Sequence, residues 1–156
     1  MKKLLQRSIA MAWGLLIAGY VSAQNVPQPR LATIDLTAGM YVIQAEVAQT
    51  HREQSIGLMH RQKMADNEGM LFVYGNAQIR CYWMRNTLIP LTIAFIDDDG
   101  AIINLKDMQP LDERSHCSVK PARFALEMNQ GWFDQRGIKP GFKIRGLPAK
   151  SVAFSQ

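Results

Sequence analysis

A polar turn in the middle of the chain carries the side chains best suited to hold a ligand. The indole of Trp83 offers a flat surface for stacking. The side chains of Arg85, Asn86 and Thr87 offer directional hydrogen bonds to a carboxylate, a phosphate or a sugar hydroxyl. Pro90 follows closely, so we expect these groups at one end of a sheet. The alternative is structural: Trp83 packs in the core, while Asn86 and Thr87 satisfy the backbone of the turn.

Two charged residues lie on one face of a predicted strand. Arg123 and Glu127 are four residues apart and are flanked by apolar residues, so the alternation of a strand points both to the same side. A buried charge is usually paired, and the sequence favours internal ion pairing of these residues with Arg85 or Arg61. The alternative is that Glu127 helps to orient a ligand.

The chain contains two cysteines, Cys81 and Cys117. In an exported protein an even number of cysteines favours a disulfide. The bridge would close a loop of about 37 residues, for which chain entropy predicts roughly 3–4 kcal/mol of stabilisation. The alternative is an enzyme in which the thiolate of Cys117 acts with His116 and Glu127. Neighbours on a strand point apart, so the adjacency of His116 supports this alternative only weakly.

Other groupings of polar residues predict no catalytic, cofactor or metal site. The run Asp97-Asp98-Asp99-Gly100 fails the spacing of an EF-hand, since Phe95 would occupy the first ligand position, and it fits a solvated hairpin turn. The histidines lack close ligand spacing, and most methionines lie on predicted apolar faces, where core packing explains them better than copper binding. No phosphate-binding loop, nucleophile elbow or paired-carboxylate motif is present in the sequence.

Residues 1–23 have the pattern of a signal peptide. A basic start precedes the apolar stretch at residues 9–19, which is too short for a membrane span, and a small-residue cleavage motif at residues 21–23. The pattern predicts cleavage after residue 23 and a periplasmic or secreted protein without a membrane span; retention as an N-terminal helix is the alternative. Three of the 18 basic residues lie in this leader, so the mature chain has a net charge of +2. Such a small charge gives no reason to expect a nucleic-acid partner.

The remaining chain reads as one β-rich domain. We expect a linker at residues 24–30, the domain at residues 31–147 and a flexible tail at residues 148–156. Alternation and turn residues predict strands at residues 31–37, 41–48, 68–74, 79–84, 91–96, 101–105, 122–129 and 142–147. A polar loop is expected at residues 106–120, and helices at residues 51–61 and 130–136. The pattern indicates an α+β fold, mostly antiparallel, with a strongly curved sheet or small barrel and two short helices.

The sequence also predicts the surroundings of one strand and of the first helix. Residues 91–96 are apolar on both faces, which predicts a central strand covered on both sides. A capping box at Thr50 and Glu53 begins the first helix, and Gly57 allows it to lie close to a neighbour. The polar residues expected on the solvent face of this helix are Arg52, His60 and Arg61.

Five phrases of the sequence together resemble one protein family. They are GLMHR at residues 57–61, EGMLFVY at 68–74, YWMRNTLIPLTIAFID at 82–97, PARFALEMNQG at 121–131 and GIKPG at 137–141. Their order and spacing resemble the bacterial and archaeal family named domain of unknown function 192, over residues 41–144. The resemblance implies a compact β-rich domain that is often exported or membrane-anchored, and it implies no activity.

The sequence departs from that family at three positions. Gln54 stands where the family often has arginine, and Thr92 and Phe142 stand where it often has aspartate. If those charged groups form a polar site in relatives, this chain has lost part of that site. The departure at position 92 argues against an acid–base role that would need a carboxylate there.

These observations lead to three functional hypotheses. The first is an exported module that binds a small polar or anionic ligand, or an envelope component, through Trp83, Arg85, Asn86, Thr87 and Glu127. The second is an extracytoplasmic hydrolase or thiol enzyme that uses Cys117 and His116. The third is a structural partner in an envelope complex. We expect no cofactor and no metal.

Overall fold

The computed structural model of the protein describes residues 26–149. Along this part of the chain the elements are β1 (Thr33–Ala38), β2 (Tyr41–Ala48), α1 (His51–Ile56), β3 (Glu68–Gln78), β4 (Cys81–Tyr82), β5 (Leu91–Ile96), β6 (Ile102–Met108), β7 (His116–Cys117), β8 (Ala122–Asn129), α2 (Trp132–Gln135) and β9 (Ile144–Arg145). The predicted signal peptide lies outside the described residues, as does the predicted tail beyond residue 149. None of the helices in residues 26–149 is long and apolar enough to cross a membrane.

Seven strands form one sheet in the order β6-β5-β8-β3-β2-β1-β9. Its neighbouring strands are antiparallel, except that β2 and β3 run parallel and are connected through α1. The sheet curls into a half barrel, and its two ends meet where Ala101, before β6, bridges Lys143, before β9. The short strands β4 and β7 form a separate pair. The predicted α+β fold, mostly antiparallel and strongly curved, is confirmed.

The buried strand β5 separates two hydrophobic cores, as its two-sided apolar sequence predicts. All six of its residues are buried. Ala94 packs in the core that α2 closes, whereas Ile93 packs in a second core that contains Leu58, just after α1. The neighbouring strand β8 divides in the same way, with Leu126 in the first core and Ala125 in the second. Alternation therefore directs residues 123 and 127 toward the side that α1 and β4 cover.

Several elements differ from their predicted bounds. Helix α1 ends at Ile56 rather than at residue 61, because Gly57 takes φ +51° and ψ −132° and turns the chain out of the helix. Strand β3 extends to Gln78, and the strand predicted at residues 79–84 shortens to β4. Strand β7, which pairs with β4, lies inside the predicted loop at residues 106–120.

The predicted solvent position of Arg61 is wrong. This side chain is buried and donates hydrogen bonds of 2.9 and 2.8 Å to the two carboxylate oxygens of Glu46 on β2. Arg30 and the backbone N–H of Leu31 donate to the same carboxylate. The segment that follows α1 and the residues that precede β1 are thereby fixed to β2.

Candidate functional site

A cavity of about 240 Å³ lies between α1, the strands β3, β4 and β8, and the turn that follows β4. Aromatic rings form much of its lining, and Glu127 lies within it. Helix α1 contributes His51 and Ser55, and the turn contributes Trp83 and Thr87. Pockets for drug-sized ligands measure roughly 300–1,000 Å³, so this cavity suits a smaller molecule or a single chemical group.

The predicted capping box of α1 is confirmed and fixes one wall of the cavity. The hydroxyl of Thr50 accepts a hydrogen bond of 3.2 Å from the N–H of Glu53, and the carboxylate of Glu53 accepts one of 2.9 Å from the N–H of Thr50. The side-chain amide of Gln54 donates to the carbonyl of Val73 on β3 at 2.8 Å. The capping box defines the start of the helix, and the bond from Gln54 ties the helix to β3.

Aromatic side chains form the facing wall. Phe72 and Tyr82 meet edge to face, with ring centroids 5.0 Å apart and planes at 78°. The hydroxyls of Tyr74 and Tyr82 are hydrogen-bonded at 2.6 Å. Burial raises the pKa of Tyr82 well above its usual value, so this phenol stays uncharged. A Cβ at Gly57 would lie 3.3 Å from the ring of Phe72, so the glycine lets α1 approach this wall, as expected.

The carboxyl of Glu127 faces the cavity without a partner. Its residue is only 5% exposed, and its neighbours in the sheet are Met70 on β3 and Ile93 on β5. Within residues 26–149 this carboxyl makes no hydrogen bond and no ion pair. Burial raises the pKa of Glu127 to about 8. The carboxyl is therefore mostly protonated at neutral pH.

The predicted ion pairing of Glu127 and Arg123 with Arg85 or Arg61 is wrong. Arg61 is held by Glu46, as described above. Arg123 is buried on the predicted face, but its guanidinium lies 3.5 Å from Asp98 and also donates to a backbone carbonyl of β3. Strand alternation places the two residues on one side correctly. Their partners differ because each arginine reaches an acceptor that sequence spacing does not reveal.

Only part of the turn predicted to carry the site lines the cavity. Trp83, which is 47% exposed, and the buried Thr87 both line the cavity. The guanidinium of Arg85 is exposed and lies 5.4 Å from the centroid of the Trp83 ring. Asn86 takes φ +58°, a left-handed conformation that asparagine tolerates in turns. Trp83, Thr87 and Glu127 therefore meet at one cavity, whereas Arg85 and Asn86 lie outside its lining.

The predicted disulfide between Cys81 and Cys117 is present. It joins opposed residues of β4 and β7, and Cys81 lines the cavity. The sequence has only these two cysteines, so the hypothesis of a thiol enzyme that uses Cys117 is wrong for the oxidised protein. His116, its proposed base, lies 3.8 Å from Asp112. A structural disulfide fits an oxidising, extracytoplasmic compartment.

The sequence pattern does not reveal the contributions of α1 and of the tyrosines to the cavity. His51 and Ser55 read as ordinary polar helix residues, and Tyr74 and Tyr82 read as strand residues without a partner. The hydroxyl pair depends on how residues 75–81 return the chain, which local pattern does not predict. In the described part of the chain, no group of three or more His, Cys, Asp or Glu residues could hold a metal ion.

Comparisons with known proteins place these features in context. Residues 33–146 match the model of the DUF192 family, which is described as "Uncharacterized ACR". The crystal structure of a protein of unknown function from Novosphingobium aromaticivorans DSM 12444 is similar, with 37% identity, a TM-score of 0.71, and coverage of 74% of this chain and 86% of that one. A Sinorhizobium meliloti 1021 protein, provisionally described as a transcription regulator, is 30% identical with a TM-score of 0.72, and the match covers 76% of this chain and 96% of that one. No curated protein matches the chain.

Proposed function

The chain belongs to the DUF192 family, and we propose that it is a periplasmic or secreted module that binds a small polar ligand between α1 and the sheet. The binding residues are Trp83, Thr87 and Glu127. The observation that carries this proposal is the cavity itself, because it joins a buried, unpaired carboxyl to aromatic rings and a hydroxyl. The roles of Arg85 and Asn86, which lie outside the lining, stay a prediction.

The unpaired carboxyl supports binding on energetic grounds. A buried polar group that lacks a hydrogen-bond partner costs about 1–3 kcal/mol. Glu127 has no such partner in residues 26–149, yet it lies beside an opening that a small molecule can enter. The carboxyl oxygens keep some contact with solvent at this opening, so a ligand that bonded to them would recover part of the cost. A core position with no ligand would be filled more stably by an apolar side chain of similar size.

The chemistry of the lining suits binding better than hydrolysis. Most glycoside hydrolases use two carboxyl groups, and in the described residues that line the cavity Glu127 is the only acidic side chain. The nucleophile of the proposed thiol enzyme, Cys117, is held in the disulfide. A single carboxyl among aromatic rings is an arrangement that orients a ligand.

A ligand screen on the oxidised protein tests the proposal. Ammonium compounds, amino acids, neutral sugars and carboxylates would be added, and binding read from the melting temperature and from tryptophan fluorescence, since Trp83 borders the cavity. A compound that binds should lose about tenfold or more in affinity in Glu127→Gln and Trp83→Ala, because both line the site. Glu113→Gln, which removes an exposed carboxylate, is the matched control and should keep the affinity.

Two results would contradict the proposed binding function. One is that no compound of any class binds. The other is that a compound binds equally well to the protein and to Glu127→Gln and Trp83→Ala, which would place its site elsewhere.

The extracytoplasmic part of the proposal has its own test. Protein recovered from the periplasmic fraction of a Gram-negative host should begin at Gln24, as measured by intact mass. A full-length chain that stays in the cytosolic fraction would contradict export.

A further inference from the structure

We propose that the cavity binds the methylated ammonium group of a small molecule, with the carboxylate of Glu127 as its counter-charge and the aromatic rings as its walls. The inference rests on the binding function proposed above and names the chemical class of the ligand. The inference follows from the charged and aromatic side chains of the lining and from the hydrogen bonds that its other polar groups already make.

The carboxyl of Glu127 supplies the only acidic charge available to a ligand in the described lining. No arginine or lysine from residues 26–149 is part of the lining, although the guanidiniums of Arg80 and Arg85 lie over the rings of Tyr74 and Trp83, which border it. An ammonium group can pair with this carboxylate at low cost, because both are removed from water together. An anionic ligand would find a buried acid and no basic partner.

The aromatic walls match the surface of a methylated ammonium group. Phe72 and Tyr82 stand nearly perpendicular, at 78°, and Tyr74 and Trp83 border the same space. Because these two rings meet edge to face, a cation would contact the surfaces that this contact leaves open, together with Tyr74 and Trp83. Aromatic cages recognise quaternary ammonium groups. Two of these rings already contact a guanidinium, that of Arg85 at 5.4 Å from the centroid of Trp83 and that of Arg80 at 3.8 Å from the centroid of Tyr74.

The other polar groups of the lining are largely engaged, which argues against a sugar. The amide of Gln54 donates to backbone carbonyls, and the hydroxyl of Ser55 donates to the carbonyl of His51 at 2.7 Å. The hydroxyls of Tyr74 and Tyr82 bond to each other. A polyhydroxylated ligand needs several free directional partners, and a primary ammonium needs about three acceptors. A methylated ammonium needs one counter-charge and apolar contact.

A metal ion does not fit the same carboxyl. A protein site for zinc or calcium takes several side-chain ligands, and no group of three or more candidate ligands occurs within residues 26–149. Glu127 alone would leave most of the coordination positions of such an ion to water.

Binding should be linked to release of a proton. Burial raises the pKa of Glu127 to about 8, so a cation must displace the proton that the empty site holds at neutral pH. The titratable groups that share the cavity with this carboxyl are His51 from α1, Tyr74 from β3 and Tyr82 from β4. The charged guanidinium of Arg80 lies over the ring of Tyr74, and β5 contributes apolar Ile93. The phenols of the two tyrosines stay neutral because burial raises the pKa of each. Glu127→Gln therefore tests whether this carboxyl is the source of the released proton.

Titration calorimetry with choline and with 3,3-dimethyl-1-butanol, its uncharged isostere, tests the inference at constant ionic strength. Choline should bind about tenfold or more tightly than the isostere at pH 8. Below pH 8 its affinity should fall by about tenfold for each pH step of one, because the site must lose a proton. Glu127→Gln should reduce the preference for the cation and remove the pH dependence, because the aromatic walls remain and the carboxyl does not, whereas Glu113→Gln should keep both.

The outcomes separate this inference from the function on which it rests. Equal binding of the isostere and choline overturns the ammonium assignment but supports a cavity for neutral ligands. Binding of a carboxylate or a sugar, with no binding of choline, also overturns the assignment and leaves the binding function in place. If no compound in either experiment binds at the cavity, both the assignment and the function are overturned.

Discussion

Arg61 and Glu46 form a buried ion pair in which two nitrogens of one guanidinium donate to both oxygens of one carboxylate, at 2.9 and 2.8 Å. Burial alone would raise the pKa of Glu46, but the hydrogen bonds from Arg61, Leu31 and Arg30 outweigh it and lower that pKa. The pair joins β2 to the segment after α1, whose residues Leu58 and Met59 line the cavity. The ion pair therefore supports the wall of the proposed site without contacting the ligand.

Removing one partner of this pair should destabilise the fold strongly. Arg61→Ala is expected to lower the free energy of unfolding by about 3 kcal/mol, because it leaves a buried carboxylate with weaker partners. Arg30→Ala is the matched control, since Arg30 bonds to the same carboxylate but is 56% exposed, and it should cost less than about 1 kcal/mol. Urea unfolding at pH 7 measures both.

Because the folded pKa of Glu46 is lowered, the effect of Arg61→Ala should shrink as the pH falls below about 4. Equal losses of unfolding free energy in Arg61→Ala and Arg30→Ala would show that burial of the Arg61 pair does not increase its contribution to stability.

The disulfide should stabilise the domain and leave no free thiol. Reduction of the Cys81–Cys117 bridge is expected to lower the free energy of unfolding by roughly 3–4 kcal/mol, because the unfolded chain gains conformational freedom. The variant Cys81→Ser/Cys117→Ser should match the reduced protein and should not respond to reductant. Mass spectrometry after alkylation without reductant should show no added label, and labelling of the unreduced protein would contradict the bridge.

Local pattern predicted the elements whose environment is decided by their own residues. The two-sided apolar run of β5, the capping box at Thr50 and Glu53, and the shared face of Arg123 and Glu127 are all recovered. Each depends on alternation or on a contact between residues close in the chain. The disulfide was predictable because the chain has two cysteines, which allow one pairing, and because the sequence predicts export.

The partners of buried charges could not be predicted in this way. Arg61 meets Glu46 only because β2 and β3 run parallel, which brings the segment after α1 back over β2. Glu127 stays unpaired because Arg123 turns toward Asp98. Such pairings depend on long-range topology, and sequence spacing does not select among the candidate partners. The cavity was therefore only partly foreseen, through Trp83, Thr87 and Glu127.

The close contact between α1 and the sheet should depend on the glycine that ends the helix. Gly57→Ala is expected to lower the free energy of unfolding by about 1–3 kcal/mol, since a side chain is strained at φ +51° and its Cβ would lie 3.3 Å from the ring of Phe72. Gly75→Ala on β3 is the matched control, because a Cβ there meets no atom within 4 Å, and it should change stability by less than about 1 kcal/mol. Thermal unfolding compares the two, and an unchanged melting temperature for Gly57→Ala would contradict the contact.

The carboxyl of Glu127 should make the stability of the protein depend on pH near neutrality. Its pKa is about 8 in the folded state against an ordinary value of 4.5, so the folded protein holds a proton that the unfolded chain releases between these values. Stability from this group is therefore complete below about pH 4.5 and is lost as the pH rises toward 8. At about 1.4 kcal/mol for each pH step of one, the loss between pH 5.5 and 7.5 is roughly 2–3 kcal/mol.

Glu127→Gln isolates this contribution, because glutamine has a similar shape and does not titrate. Subtracting the unfolding free energies of the variant from those of the protein across pH 5–8.5 removes the effects of histidines and of other groups common to both. The unfolding free energy of the protein minus that of Glu127→Gln should fall as the pH rises toward 8. Above that pH it should be constant, because the folded carboxyl is then ionised. The same subtraction with Glu113→Gln, an exposed residue, should give a much smaller slope. A difference for Glu127→Gln that is flat from pH 5.5 to 7.5 would mean that the carboxyl is ionised throughout, and that a partner or solvent reaches it in the folded protein.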